Sequence, residues 1–235
     1  MRQLKTHISR LFSVTVILSL LLFSSCGSED EITEGEIEFE ITYPYYQGSG
    51  FMASMLPDKM IMTFKDGVYK TEVAKGTLFK SAFIVDCNNK SVINLFHFGT
   101  KNIFCKMGEK DVKKILSKEP KPQYLETNDG DSLAGFLCTK TVAYYEEVEQ
   151  PDVAVYTTSD IKIPNSNWWT PFNQLEDVML EYEIERFDFR MRFTAVKFTK
   201  REVSEDEFKV PSQYKKVSIK KIEKELNEVF GTLTK

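Results

Sequence analysis

Apolar and polar residues alternate with a period of two along most of this chain, the spacing of strands whose two faces meet different surroundings. Met60, Met62 and Phe64 alternate with Lys59, Thr63 and Lys65, and Asp66-Gly67 then offers a two-residue hairpin turn. Phe83, Val85 and Cys87 lead into Asn88-Asn89, Ile93, Leu95 and His97 alternate on the return, and Gly99-Thr100 turns the chain toward Ile103 and Cys105. Phe136 to Glu146 and Val153 to Thr158 read as further strands. The best-specified pair lies between Val178 and Phe198. Val178, Leu180, Tyr182 and Ile184 share one face, opposite Met179, Glu181, Glu183 and Glu185. On the return strand Phe187, Phe189, Met191 and Phe193 oppose Asp188, Arg190 and Arg192. A turn centred near Arg186 and Phe187 sets Glu183 opposite Arg190, Glu181 opposite Arg192 and Tyr182 opposite Met191, each pair worth ~0.2–1 kcal/mol. A slip by two residues keeps both faces, so alternation leaves the turn open.

Helical spacing is confined to two segments. Val112, Ile115 and Leu116 sit at i, i+3 and i+4 in a stretch that Pro120 and Pro122 close. Ser218 can cap a C-terminal helix whose stripe is Ile219, Ile222, Leu226, Val229 and Phe230, with Gly231 where a stop belongs. A long antiparallel meander with a few helices predicts an α+β fold. No internal repeat, low-complexity segment or Pro/Gly/Ser linker divides it.

The amino terminus follows a different pattern. Arg2, Lys5 and Arg10 precede an apolar run from Leu11 to Phe23, and Ser24, Ser25 and Cys26 follow. As a helix that run spans about 20 Å, short of the roughly 30 Å of a bilayer core, so it reads as a secretory signal peptide. Phe23-Ser24-Ser25-Cys26 resembles a bacterial lipobox, apart from Phe23 where Leu is usual. The resemblance implies cleavage before Cys26, lipid attachment at its thiol, and anchorage in a membrane through the acylated N-terminus. The expected organisation is a signal peptide over 1–25, an acidic tether over 26–35 and a single domain over 36–235. Gly27-Ser28-Glu29-Asp30-Glu31 also resembles the acidic export signal of Bacteroidetes surface lipoproteins, and no Asp follows Cys26, which favours the outer membrane. A surface-exposed and a periplasm-facing anchor both stay open.

Composition narrows the classes. The 235 residues are 42% hydrophobic, with 18 Phe and 10 Tyr, too apolar for a disordered chain. The formal charge is -4. Removal of residues 1–25 takes away three bases and no acids, leaving 28 bases against 35 acids, or -7. That balance argues against a nucleic-acid partner.

Local words across the mature chain resemble the outer-membrane lipoprotein-sorting superfamily, in particular a Bacteroidetes lipoprotein branch. They are Leu56-Pro57-Asp58-Lys59-Met60-Ile61-Met62, Asp129 through Lys140 (DGDSLAGFLCTK), Val178-Met179-Leu180-Glu181-Tyr182, and Phe208-Lys209-Val210-Pro211. The likeness covers about Gly35 to Phe230. It implies a strongly curved antiparallel sheet, an unclosed half-barrel with helices over its concave mouth, and a cavity able to hold acyl chains.

Candidate chemistry is sparse. The mature chain has one histidine, His97, which leaves a histidine triad or two-histidine metal site without its parts; a structural role is expected for it. No catalytic, cofactor or metal motif stands out, and no cofactor is expected. Gly48-Ser49-Gly50-Phe51-Met52-Ala53 fits a loose dinucleotide fingerprint, but Pro57 and the strand pattern beyond it favour a flexible loop, or a mobile lip carrying Phe51, Met52, Met55 and Leu56. Cys87 and Cys105 fall two strands apart, at least about 9.5 Å, beyond disulfide reach, so buried thiols are expected there, while Cys138 has no assigned state. Among carboxylates, Glu146-Glu147 would face opposite sides of a strand, and Glu181/Glu183 has a better account as a charge ladder. Lys110, Lys113, Lys114, Lys118 and Lys121 form either a solvated face or a contact for anionic headgroups or an acidic partner. Trp168 and Trp169 suit a cavity rim or interface as well as packing under a loop.

The leading expectation is an acylated, non-catalytic envelope lipoprotein. It would bind a lipid or acyl chain in the concavity through Met60, Met62, Phe64, Tyr182, Phe189, Met191 and Phe193. The alternatives are a docking lipoprotein with a filled core and an envelope protein partner, and, least favoured, a hydrolase using paired carboxylates.

Overall fold

Among the residues that a computed structural model describes (31–46, 51–146, 151–186 and 189–230), the strands form one 12-stranded sheet. They are β1 (Glu34–Thr42), β2 (Lys59–Lys65), β3 (Val68–Lys75), β4 (Phe79–Asp86), β5 (Ser91–Phe98), β6 (Lys101–Gly108), β7 (Gln123–Leu133), β8 (Phe136–Tyr144), β9 (Val153–Thr158), β10 (Val178–Arg186), β11 (Phe189–Thr199) and β12 (Lys215–Lys216). The helices are α1 (Phe51–Met55), α2 (Glu109–Leu116) and α3 (Ile219–Phe230), with a 3-10 turn over Glu205–Phe208. The sheet order is β12-β6-β5-β4-β3-β2-β1-β11-β10-β9-β8-β7. Two meanders, β2 to β6 and β7 to β11, are thus joined by β1, which pairs antiparallel with the first strand of one and the last of the other. Every pairing between strands is antiparallel except the two-residue β12 alongside β6, and an isolated parallel bridge joins Ile32 to Ile161. The α+β half-barrel expected from the sequence is the fold observed.

Turn chemistry sets the first meander. Lys65 pairs with Val68, so Asp66 and Gly67 alone make the turn, with φ of 46° and 82°. Both central residues of this hairpin need positive φ, which Gly67 adopts freely and Asp66 tolerates. A Cβ on Gly67 would also come within 2.8 Å of the Asn88 side chain, whose Nδ2 donates to Asp66 O. Gly99-Thr100 closes β5 to β6 in the same two-residue way.

Two sequence expectations need correction. In the β10–β11 pair Glu183 faces Arg192, Glu185 faces Arg190 and Tyr182 faces Phe193, a register two residues from the expected one. The slip keeps apolar opposite apolar and acid opposite base, which is why alternation could not detect it. The second correction concerns 48–53. Residues 48–50 lie outside the described residues, but Phe51–Met55 form the short helix α1 rather than a loop.

The sheet bends sharply. β8 and β11 are separated by two strands, about 14 Å on a flat sheet, yet the Phe136 and Phe198 rings lie 5.0 Å apart. The inner face carries the main core, including Ile37, Phe39, Phe64, Val85, Val92, Phe96 and Leu180. A smaller cluster of Ala82, Ile84 and Leu95 on the outer face is covered by Phe208, Val210 and Tyr214, next to the 3-10 turn. β5 is therefore apolar on both sides. Its concave residues are Val92, Asn94 and Phe96, while Ile93 and Leu95 look outward.

One further element crosses the concave face. The segment between β9 and β10 (159–177) reaches from β10 back to β3, four strands away in the sheet. Tyr69 OH donates to Ser166 O at 2.7 Å, Trp169 Nε1 donates to Tyr69 OH, and the Trp169 ring lies 4.9 Å from Phe83. Asn167 steadies this strap by donating to Leu175 O and Asp177 O, both at 2.8 Å.

Candidate functional site

The curved sheet, the strap and the helices enclose a cavity of about 440 Å³. Alternation supplies its floor, because every second residue of β1 to β6 and of β10 and β11 points to the concave side. Phe39 and Ile41 come from β1, Met60 and Met62 from β2, and Met107 from β6. Helix α2 contributes Val112 and Ile115, and α3 lays Ile219, Ile222, Leu226 and Phe230 over one end. Ser218 Oγ caps α3 by accepting from Lys221 N at 3.3 Å. The Phe230 ring meets Phe79 on β4 at 5.3 Å, edge to face. Lys101 on β6 and Lys221 both pair with Glu225, and the two ammonium groups hold its carboxyl below the usual carboxylate range.

The wall is close to electrically neutral. Burial pushes the Tyr69 and Tyr182 phenols well up from their ordinary values, and the Cys105 thiol up to about 11, so all three stay protonated at neutral pH. Of the charged residues along the lining, Arg186 is already paired with Glu119 at 2.8 Å, and Glu223 belongs to α3. The polar lining includes Thr71, Ser81, Asn94, Ser166 and Thr170.

Six of the seven residues singled out from the sequence line this cavity: Met60, Met62, Tyr182, Phe189, Met191 and Phe193. Phe64 does not. It is fully buried in the core with its ring stacked 6.4 Å from Phe198. Trp169 lines the cavity, whereas the Trp168 ring lies under Lys90 Nζ at 5.2 Å, outside the lining. Leu56 and Pro57 after α1 line it too. Cys26 and the signal and tether residues up to 30 lie outside the described residues. The lining residues that sequence reasoning passed over are chiefly Tyr69, Phe83, Met107 and the α3 stripe. The stripe was visible as a helix face, but nothing local said what it would cover.

The other weighed groups have structural partners. His97 Nδ1 meets Asn102 Oδ1 at 2.8 Å and its Nε2 meets Thr77 O at 3.0 Å. Glu183, 8% exposed, accepts from both Arg190 and Arg192, and Glu181 accepts from Thr194 Oγ1 at 2.9 Å. Glu183 thus sits in a charge ladder with both arginines, whereas Glu181 faces Thr194 in place of the expected Arg192. Glu147 lies outside the described residues. The five lysines around α2 are exposed, with Lys113 paired to Glu109 at 2.8 Å. Cys87, Cys105 and Cys138 are free and buried. Among the described residues no three His, Cys, Asp or Glu side chains gather as metal ligands would, and no helix is long and apolar enough to cross a membrane.

No protein-family model matches the chain, and no curated protein matches it. Solved structures similar to it include one of PNGF-II, at 10% identity and a TM-score of 0.52, over 84% of this chain and 34% of that one. The chain therefore spans about a third of the length of that protein, and the likeness is one of fold. A β-barrel-like protein of unknown function from Brucella abortus is similar at 9% identity and a TM-score of 0.34, over 73% of this chain and 99% of that one. An outer membrane lipoprotein-sorting protein domain from Vibrio parahaemolyticus is similar at 6% identity and 0.20, over 75% and 89%. Scores this low fall short of a shared fold.

Proposed function

We propose that this protein is an acylated lipoprotein of the cell envelope that binds a hydrophobic ligand, a lipid or acyl chain, in the concavity of its sheet, without catalysing a reaction. The observation that carries the reading is the cavity wall. A space of about 440 Å³ lies within the usual range of ligand pockets, and its lining is rich in methionine and aromatic side chains. Methionine adapts to irregular apolar shapes, so Met60, Met62, Met107, Met179 and Met191 suit a chain of variable length. Val112 and Ile115 of α2 reach this cavity while the lysines beside them stay in solvent, an arrangement suited to an anionic headgroup or membrane surface at the opening. Organic extraction of the gently purified protein, followed by mass spectrometry, is expected to return a lipid in near-stoichiometric amount; repeated preparations free of any lipid would sink the reading.

Anchorage through Cys26, with an outer-membrane site facing either the periplasm or the outside, is the second part of the proposal. Cys26→Ser should release the protein from membranes or leave the precursor unprocessed. Labelled fatty acid that is still incorporated into that variant would refute it.

A docking lipoprotein is the rival reading. It is favoured by two exposed leucines near the free β7 edge of the sheet, Leu125 (60% exposed) and Leu137 (82%). One stoichiometric protein recovered by pull-down from native membranes would favour it.

A further inference from the structure

The cavity is not uniformly apolar, and its polar residues are ordered. Asn94 on β5 faces Cys105 on β6 directly, and it is one diagonal step from Ser81 on β4. Ser81 in turn is one diagonal step from Thr71 on β3. Thr71, Asn94 and Cys105 therefore lie in one row straight across the strands, with Phe83 in the β4 position and Ser81 two residues to one side of it, and all of them line the cavity. Asn94 is 6% exposed, and its Oδ1 has no hydrogen-bond partner among the described residues. Ser166 of the strap, 2% exposed, also lines the cavity, and its Oγ likewise lacks a partner. Two buried oxygens without partners in one apolar cavity are costly, because each forfeits its hydration and receives nothing in exchange.

Resting on the apolar-ligand reading above, we propose that the ligand is a hydroxylated acyl chain, bearing neutral hydroxyl groups along its buried length rather than being plain hydrocarbon. A carbonyl oxygen such as Asn94 Oδ1 only accepts, so the ligand must donate. A carboxylate has no proton to give. It would also need a cation, and the arginine along the lining, Arg186, is already paired with Glu119. A hydroxyl is the smallest neutral donor, and it can also accept from Ser166 Oγ. The apolar remainder of the chain lies against the methionines, and the hydroxyls meet Asn94 and Ser166.

The test is displacement of anilinonaphthalene sulfonate from the full chain carrying Cys26→Ser. The competitors are two matched pairs: palmitic against 3-hydroxypalmitic acid, and oleic against ricinoleic acid. Because each pair shares its carboxyl head, the hydroxyl alone sets the ratio of affinities. The hydroxylated member of at least one pair should bind about threefold to tenfold tighter. Asn94→Leu should bring that ratio close to one. Should that variant fail to fold, Ser166→Ala carries the same comparison and should reduce the ratio. Equal binding of both members of both pairs by the unaltered site would overturn the inference and leave the apolar-ligand reading standing, with the two oxygens served by water. A ratio that survives both substitutions would overturn it as well. If no acid displaces the dye and extracts are free of lipid, the apolar-ligand reading itself fails.

Discussion

Burial governs what the cysteines of the folded domain can do. The thiolate is the reactive form, and burial pushes the Cys87 thiol up to about 12 and Cys105 up to about 11, with Cys138 raised too. Iodoacetamide at about pH 8 should therefore label all three in guanidinium but label the native protein at least ~10-fold more slowly, since reaction must await local opening. Peptide mapping by mass spectrometry reads each site, and a native rate equal to the unfolded rate would contradict the burial. Residue-scale reading of the sequence reached Cys87 and Cys105, which strand spacing put beyond disulfide reach, and left Cys138 unassigned. It did not reach depth. Met60, Met62 and Phe64 share a face by alternation, yet Met60 and Met62 border the cavity while Phe64 is sealed beneath Phe198. Period two specifies a side, and the distance of that side from the cavity depends on where the neighbouring strands bend.

At the scale of elements, the β10–β11 pair shows how charge is used. Glu183 is nearly buried between Arg190, whose side chain is 9% exposed, and Arg192, whose side chain is 44% exposed. Removing one member of such a group leaves a buried charge without compensation, at about 3–5 kcal/mol. Glu183→Leu should cost about that much in urea unfolding, and adding Arg190→Met should restore most of it; simple additivity of the two losses would show that the pair is not coupled. The strands, their faces and the opposition of acid to base were all legible in the sequence. The register was not, because the two-residue slip gives the same chemistry on each face. Helix α3 was legible through its stripe and through Ser218, whose hydroxyl caps it. The strap had no periodic signal at all. It is held by Tyr69, Trp169 and Asn167 hydrogen bonds, which no local pattern announces.

Over the whole molecule, carboxylates tie distant parts of the chain together. Glu225 links α3 to Lys101 on β6, Glu34 accepts from Val203 N and Lys65, and Glu207 pairs with Arg201. The hydrogen bonds to these cationic and backbone donors lower all three carboxyls from the ordinary value of 4.5. A group lowered in the folded state stabilises fully above its unfolded value, and that stabilisation is lost as pH falls through the folded value. The melting temperature should accordingly hold near neutrality and decline below about pH 5, in a range set by these lowered carboxyls. Glu225→Gln should lower the neutral melting temperature and flatten the acid limb; a profile parallel to the parent would remove Glu225 from the account. By itself the sequence determined that β2, β4, β5, β6 and β8 to β11 are strands, which side of each is apolar and where several turns fall, because period two and turn conformation are properties of short stretches of chain. β1 and β7 were not identified as strands in that way. Tertiary structure alone decided that the apolar side becomes a hollow lined by Met60, Tyr182 and Phe230 rather than a filled core. That outcome depends on how far the sheet curls, as Phe136 against Phe198 records, and on a strap that brings Trp169 to Tyr69. Such contacts join residues far apart in the chain, and their balance is settled only when the whole sheet has closed around them.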